Sequence, residues 1–182
     1  MRALLLIVVL SACAANASPT APPPTCDAIC QDGIALRAVR ETMKLAYNLT
    51  LQGKAVGAKD AMTPCPQGGT AHVFGTATSN GTQGTTDIQL TYELTDCAYL
   101  QLDTEPKQSY ATVVSGTITQ QGILAVQPSS SSAVLMKSET VKVTGTVYNP
   151  PLPYDATCPL TMTQDGNGLT GTICGRTASA AL

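Results

Sequence analysis

One imidazole, a scatter of carboxylates and seven cysteines are the side chains of this sequence that could do chemistry. His72 is the sole histidine. As a general base it would need a nucleophile or carboxylate beside it, and no local signature supplies one, so it reads as an exposed or partly satisfied strand histidine. Asp103 and Glu105 could face the same way in an extended segment, as could Asp87 and Glu93 on a strand. Nothing marks either pair as a glycosidase dyad, and surface solubility accounts for them. The stretch QDGNG, Gln164 to Gly168, superficially looks like a calcium loop, yet it lacks the remaining ligands and the distal glutamate. A hairpin turn fits it better. Cys26 and Cys30 form a CxxxC with no second close pair following it, which argues against zinc. No catalytic residue, metal or cofactor is expected.

The first residues decide the compartment. MRALLLIVVLSACAANASPT has one basic residue, an unbroken apolar run from Ala3 to Leu10 and then small residues, the pattern of a secretory signal. The run is far shorter than the ~20 residues of a spanning helix. Leu10-Ser11-Ala12-Cys13 resembles the lipobox of bacterial lipoproteins. The resemblance covers the first 13 residues alone and implies cleavage between Ala12 and Cys13, with three acyl chains on Cys13 anchoring the protein to a membrane. Two or more chains hold stably where one does not. In that family an aspartate after the cysteine tends to retain the protein at the inner membrane; this chain has Ala14, which implies the outer membrane. The competing reading is ordinary secretion with cleavage after Ala15-Asn16-Ala17.

Either route removes Cys13 from the thiol count and leaves six cysteines, enough for three disulfides in an exported chain. Removing residues 1–12 also removes Arg2, leaving nine basic against 12 acidic residues. With no basic run or stripe, the chain has no electrostatic footprint for nucleic acid. It has no Trp and one Phe, so its core must be built from Val, Ile, Leu, Met and Tyr, and cross-linking has more to do.

The elements that would position these residues follow from periodicity. Residues 13–25 hold the lipid anchor and a proline-rich tether suited to an extended polyproline II spacer. From about 27 to 52 an apolar stripe of Leu36, Val39, Met43, Ala46 and Tyr47 recurs at helical spacing; Gly33 interrupts it as a possible start of the regular part, and Gly53 stands where a cap belongs. Beyond Pro64 the chain reads as strands near 70–78, 86–96, 109–120, 122–127, 133–138, 140–148, 157–164 and 168–174, closely spaced and so antiparallel. Four of them carry Gly-Thr: VFGTAT, VSGTIT, VTGTVY and LTGTIC. Alternation puts Gly75, Gly116, Gly145 and Gly171 among apolar residues on one face and threonines on the other. Glycines on the buried face would leave room for a bulky partner, such as the helix stripe or Tyr92, and let the sheet coil.

The expected fold is α+β, mainly β: one N-terminal amphipathic helix on a strongly bent antiparallel sheet of about 7–8 strands, open or barrel-like. A single disulfide-linked domain would span 26–176, with its sheet over about 69–175 and a flexible tail over 177–182. Cys65 and Cys97 meet at the open end of a hairpin turning near Asn80-Gly81. Cys158 and Cys174 bracket the last hairpin but fall on opposite faces, so their pairing needs a bulge near Gly168 or Gly171; without it each would bond to Cys26 or Cys30. With it, Cys26 pairs Cys30. The functional expectation is a non-catalytic envelope lipoprotein with a structural or interaction role toward other envelope proteins. The alternative is a binding module, either for glycan on a threonine face with Tyr110, Tyr148 and Tyr154, or for an apolar ligand inside the bent sheet.

Overall fold

The computed structural model describes residues 25–54, 57–125 and 132–182. The expected signal segment, the lipidation at Cys13 and all but the last residue of the tether lie outside the described residues.

Helix α1 spans Ala28–Thr50. It starts where the Asp27 carboxylate accepts a hydrogen bond from the Cys30 N–H at 2.9 Å, an N-cap that satisfies one orphan donor. The stripe Leu36, Val39, Met43 and Ala46 is buried as its spacing predicts. Thr42 and Thr50 also face inward, their hydroxyls donating to the carbonyls of Ala38 and Ala46. Gly33 lies within the helix rather than at its start. A Cβ there would sit 2.6 Å from the Ser179 carbonyl oxygen, so glycine is what lets α1 approach the C-terminal strand.

Eight strands follow: β1 (Gly57–Pro64), β2 (Thr70–Asn80), β3 (Thr85–Gln101), β4 (Tyr110–Ala125), β5 (Ala133–Val147), β6 (Leu152–Asp165), β7 (Gly168–Ile173) and β8 (Arg176–Ala181). They form one antiparallel sheet in chain order, with β1 and β8 as unpaired edges, so the sheet is open rather than a closed barrel. Laid flat, eight strands at 4.8 Å would span roughly 34 Å, about three helix diameters. Yet α1 touches both edges and the strands between them, most broadly β8. The sheet therefore curls around the helix, which fills the gap between its edges.

Two expected strand pairs are single strands. Gly122 does not end a strand; at φ +130° it bends β4 in mid-course. The break near residue 139 is a register shift between Ser138 and Val141 inside β5. The edges β1 and β8 are additions to the expected set. In particular, residues 177–182 are not a flexible tail: Arg176–Ala181 pairs along β7, and the Leu182 N–H donates to the Asn167 carbonyl at 2.9 Å. Small side chains suit β8 to its place directly against α1.

The side chains of the Gly-Thr strands layer as expected, but the glycines among them are not interior: Gly75, Gly116 and Gly171 are half-buried and Gly145 is exposed. Val73, Ala77, Val114, Ile118, Val143, Val147, Leu169 and Ile173 are buried, while Thr76, Thr78, Thr117, Thr119 and Thr170 are exposed. The reason for glycine differs from the expected one. Gly145 has φ +132°, and a Cβ on it would stand 2.1 Å from the Ala111 carbonyl oxygen in the adjacent strand. The space goes to neighbouring backbone at a bend, not to the helix stripe or Tyr92.

The six cysteines form Cys26–Cys30, Cys65–Cys97 and Cys158–Cys174, with Cα separations of 5.2, 5.3 and 5.1 Å, within the normal range. The last pair forms without a bulge at Gly168 or Gly171: Leu160 opposes Ile173 and Met162 opposes Gly171 in unbroken register. Instead Cys174 and Gly175, both at positive φ (+53° and +75°), make the two-residue turn into β8, and this rotates the Cys174 side chain toward Cys158. Three disulfides indicate an oxidising, extracytoplasmic setting. Among the described residues no helix is long and apolar enough to cross a membrane.

Candidate functional site

The curled sheet and its helix leave a cavity of about 610 Å³ at the end of the molecule where α1 stops. Its size falls within the range of small-molecule sites. The last turns of α1 contribute one wall through Arg40, Lys44, Tyr47 and Leu51. Lys54 follows the helix, and Lys59 comes from the inward face of β1, the face shared with Ala61 and Thr63. The sheet supplies Tyr92, Gln120, Leu124 and Gln164 from β3, β4 and β6.

The deepest polar groups are held in place. Tyr92 is fully buried; burial pushes its phenol far above the ordinary range, so it stays protonated and donates to Gln120 Oε1 at 2.6 Å. Gln164, 3 % exposed, accepts from Arg40 Nε at 2.9 Å and donates to the Gly166 carbonyl at 2.9 Å, which fixes the guanidinium. Arg40 also pairs with Glu41, and Lys44 lies 3.6 Å from the same carboxylate. Arg40, Lys44, Lys54 and Lys59 thus converge on one cavity, and no carboxylate is among its described lining residues. No protein-family model matches this chain, and no curated protein or solved structure shows significant similarity to it.

Outside the cavity, the residues with chemical potential are otherwise employed. His72 lies on the outer face of β2, where Nε2 is 2.7 Å from Asp60 Oδ1 on β1 and Nδ1 is 3.0 Å from Glu93 Oε2 on β3. Hydrogen bonds to Asp60 and Glu93 raise its pKa above the ordinary histidine value. The imidazole therefore joins three strands across an open surface, and its partner Asp60 lies on a strand that sequence periodicity missed. Asp87 is not brought to Glu93 as a dyad, since Glu93 is committed to His72. The Asp103 carboxylate accepts from the Glu105 N–H at 2.9 Å and so shapes a turn. Gly166 and Asn167 form the hairpin turn between β6 and β7, as QDGNG predicts. Among the described residues no group of three or more potential metal ligands exists.

The expected Thr/Tyr platform is not assembled. Tyr110, Tyr148 and Tyr154 are 2 %, 5 % and 7 % exposed, so their rings are part of the interior and offer no stacking surface beside the threonines. Tyr154 instead donates to Asp32 Oδ1 at 2.8 Å, and Arg176 grips the same carboxylate through Nε and Nη2 at 2.6 and 2.9 Å. Asp32 has no solvent exposure, and this cluster ties α1 to β6 and β8. Sequence reasoning missed it, because an aspartate in the first turns of a helix signals nothing about partners more than 120 residues away.

Proposed function

We propose that this protein is a bacterial cell-envelope lipoprotein, acylated at Cys13 and facing the periplasmic side of the outer membrane or beyond, with a non-catalytic binding role carried by the cavity at the end of α1. The observation behind the binding role is the cavity itself: a concave space of about 610 Å³ with fixed polar groups at its base. The anchoring half is supported by the Leu10–Cys13 lipobox resemblance and by three disulfides that fit an oxidising compartment. His72 has carboxylate partners but no cleft, and its geometry serves strand cohesion.

Two measurements test this. The intact mass of the mature protein should show a triacylated Cys13 that is lost in Cys13→Ser; cleavage after Ala17 in both would refute anchoring. Native mass spectrometry of protein extracted from its own envelope should show a bound small molecule that Leu124→Trp, which fills the cavity, displaces. Finding each protein only at the mass of its own bare acylated chain would refute the binding role.

A further inference from the structure

We infer that the ligand of this cavity is a small hydroxylated molecule bearing an oxyanion, held by the ammonium groups of Lys54 and Lys59 with Lys44 beside them. This rests on the binding role proposed above and adds the ligand's chemical class.

Charge distribution is the first argument. The chain is net acidic, yet four of its ten basic residues line this one cavity, and among the described residues no acidic one does. Glu41 lies against Arg40 and Lys44 and can neutralise one positive charge. Lys54 and Lys59 have no ion pair among the described residues. Like charges around one concavity repel, and their field focuses on anions. An inward lysine on an edge strand is also a device against edge-to-edge pairing. That would account for Lys59 alone, not for its convergence with three cations from α1 and the turn that follows.

The second argument is the character of the lining. Gln120 is 8 % exposed; its Oε1 accepts from Tyr92, and its amide lines the cavity. The amide Nε2 is a donor that a ligand hydroxyl or oxyanion would take. Asn48, Ser79 and Thr86 add hydroxyl and amide groups at the rim, and among the described residues the aliphatic lining is Leu51, Leu124 and two alanines, beside Tyr47 and Tyr92. Aliphatic and aromatic groups are thus interspersed with amides, hydroxyls and ammonium groups, a mixture that suits a sugar-like body better than a lipid tail.

A carboxylate and a phosphate share the required chemistry, and the test separates them. The mature lipoprotein in phosphatidylcholine nanodiscs is titrated calorimetrically with glucuronate, glucose 6-phosphate, glucose and dodecanoate. The expected result is saturable binding of one or both anionic sugars, at least tenfold tighter than glucose and weakened by added salt. Glucuronate alone would identify a carboxylate ligand and glucose 6-phosphate alone a phosphate. The Lys54→Gln/Lys59→Gln pair should weaken that binding tenfold or more, while Lys137→Gln/Lys142→Gln, equal in charge change but on exposed positions of β5, should not. Glucose binding as tightly as the anions, or dodecanoate binding more tightly than either, would overturn the inference while leaving the binding role standing. Equal losses in both lysine pairs would overturn it too, since only global charge would then matter. No binding by any probe would overturn the inference, while the binding role itself stands or falls on the native mass spectra.

Discussion

Replacing Gly145 by alanine adds one methyl group at a place where the structure has none to spare. At φ +132° an L-residue is strained, by on the order of 1–3 kcal/mol. The added Cβ would also stand 2.1 Å from the Ala111 carbonyl oxygen and 3.0 Å from the Thr112 Cα, both backbone atoms that no side-chain rotation can clear. Forcing such an overlap apart costs about 1–3 kcal/mol more. The sum, about 2–6 kcal/mol, is a large part of the 5–15 kcal/mol that stabilises an ordinary domain. For a chain of this length it should lower the midpoint of thermal unfolding by roughly 5–20 °C. Two companion variants separate the contributions. Gly175→Ala meets positive φ without any atom within 4 Å of the new Cβ, and should lose only the left-handed penalty of about 1–2 kcal/mol. Gly81→Ala meets neither obstacle and should stay within about 0.5 kcal/mol of the parent. Circular dichroism melts with disulfides intact would rank them. Should Gly145→Ala melt with Gly81→Ala, close backbone approach at a bend is not why glycine stands there.

Asp32→Ala removes the acceptor of a buried phenol and should cost about 2–4 kcal/mol by urea denaturation; adding Tyr154→Phe should recover part of that loss, because the phenol is then no longer left unmatched while the half-exposed Arg176 turns to water. His72 gains stability from its carboxylates in the protonated form. With a folded pKa above the unfolded 6.5, that contribution is complete below pH 6.5 and disappears as pH rises through the folded value. The parent should therefore lose stability over that interval and His72→Gln should not, as read by melts from pH 5.5 to 8.5. Loop closure implies that replacing the Cys65–Cys97 pair, 32 residues apart, costs about 4 kcal/mol, and replacing Cys26–Cys30, four apart, about 2 kcal/mol. Equal urea midpoints for the two double variants would refute the ordering.

Much of the layering was readable from side-chain alternation. The buried stripe of α1, the inward apolar face of each Gly-Thr strand and the outward threonines all express local periodicity. Cysteine positions likewise bracketed their hairpins, although a positive φ at Cys174, which no spacing rule reveals, was needed for one pair. What escaped was non-local or weakly patterned. GAKDAMTP and RTASAA hold few β-branched or aromatic residues, so neither carries a strand pattern strong enough to read. Gly122 resembled a turn because glycine serves both turns and bends within strands. The cavity left no motif, since its lining comes singly from a helix, a turn and several strands, and Asp32 found its partners only through the curl of the sheet.

Because α1 finds its broadest cover in β8, the first apolar surface to be synthesised is completed by the last strand. Each neighbouring hairpin can zip onto the one before it, but the helix stripe stays partly wet until Arg176–Ala181 arrive. A nascent chain halted short of Arg176 would carry most of its strands and an unsealed seam. Such a product should bind a hydrophobic dye and fall to proteases that spare the finished protein.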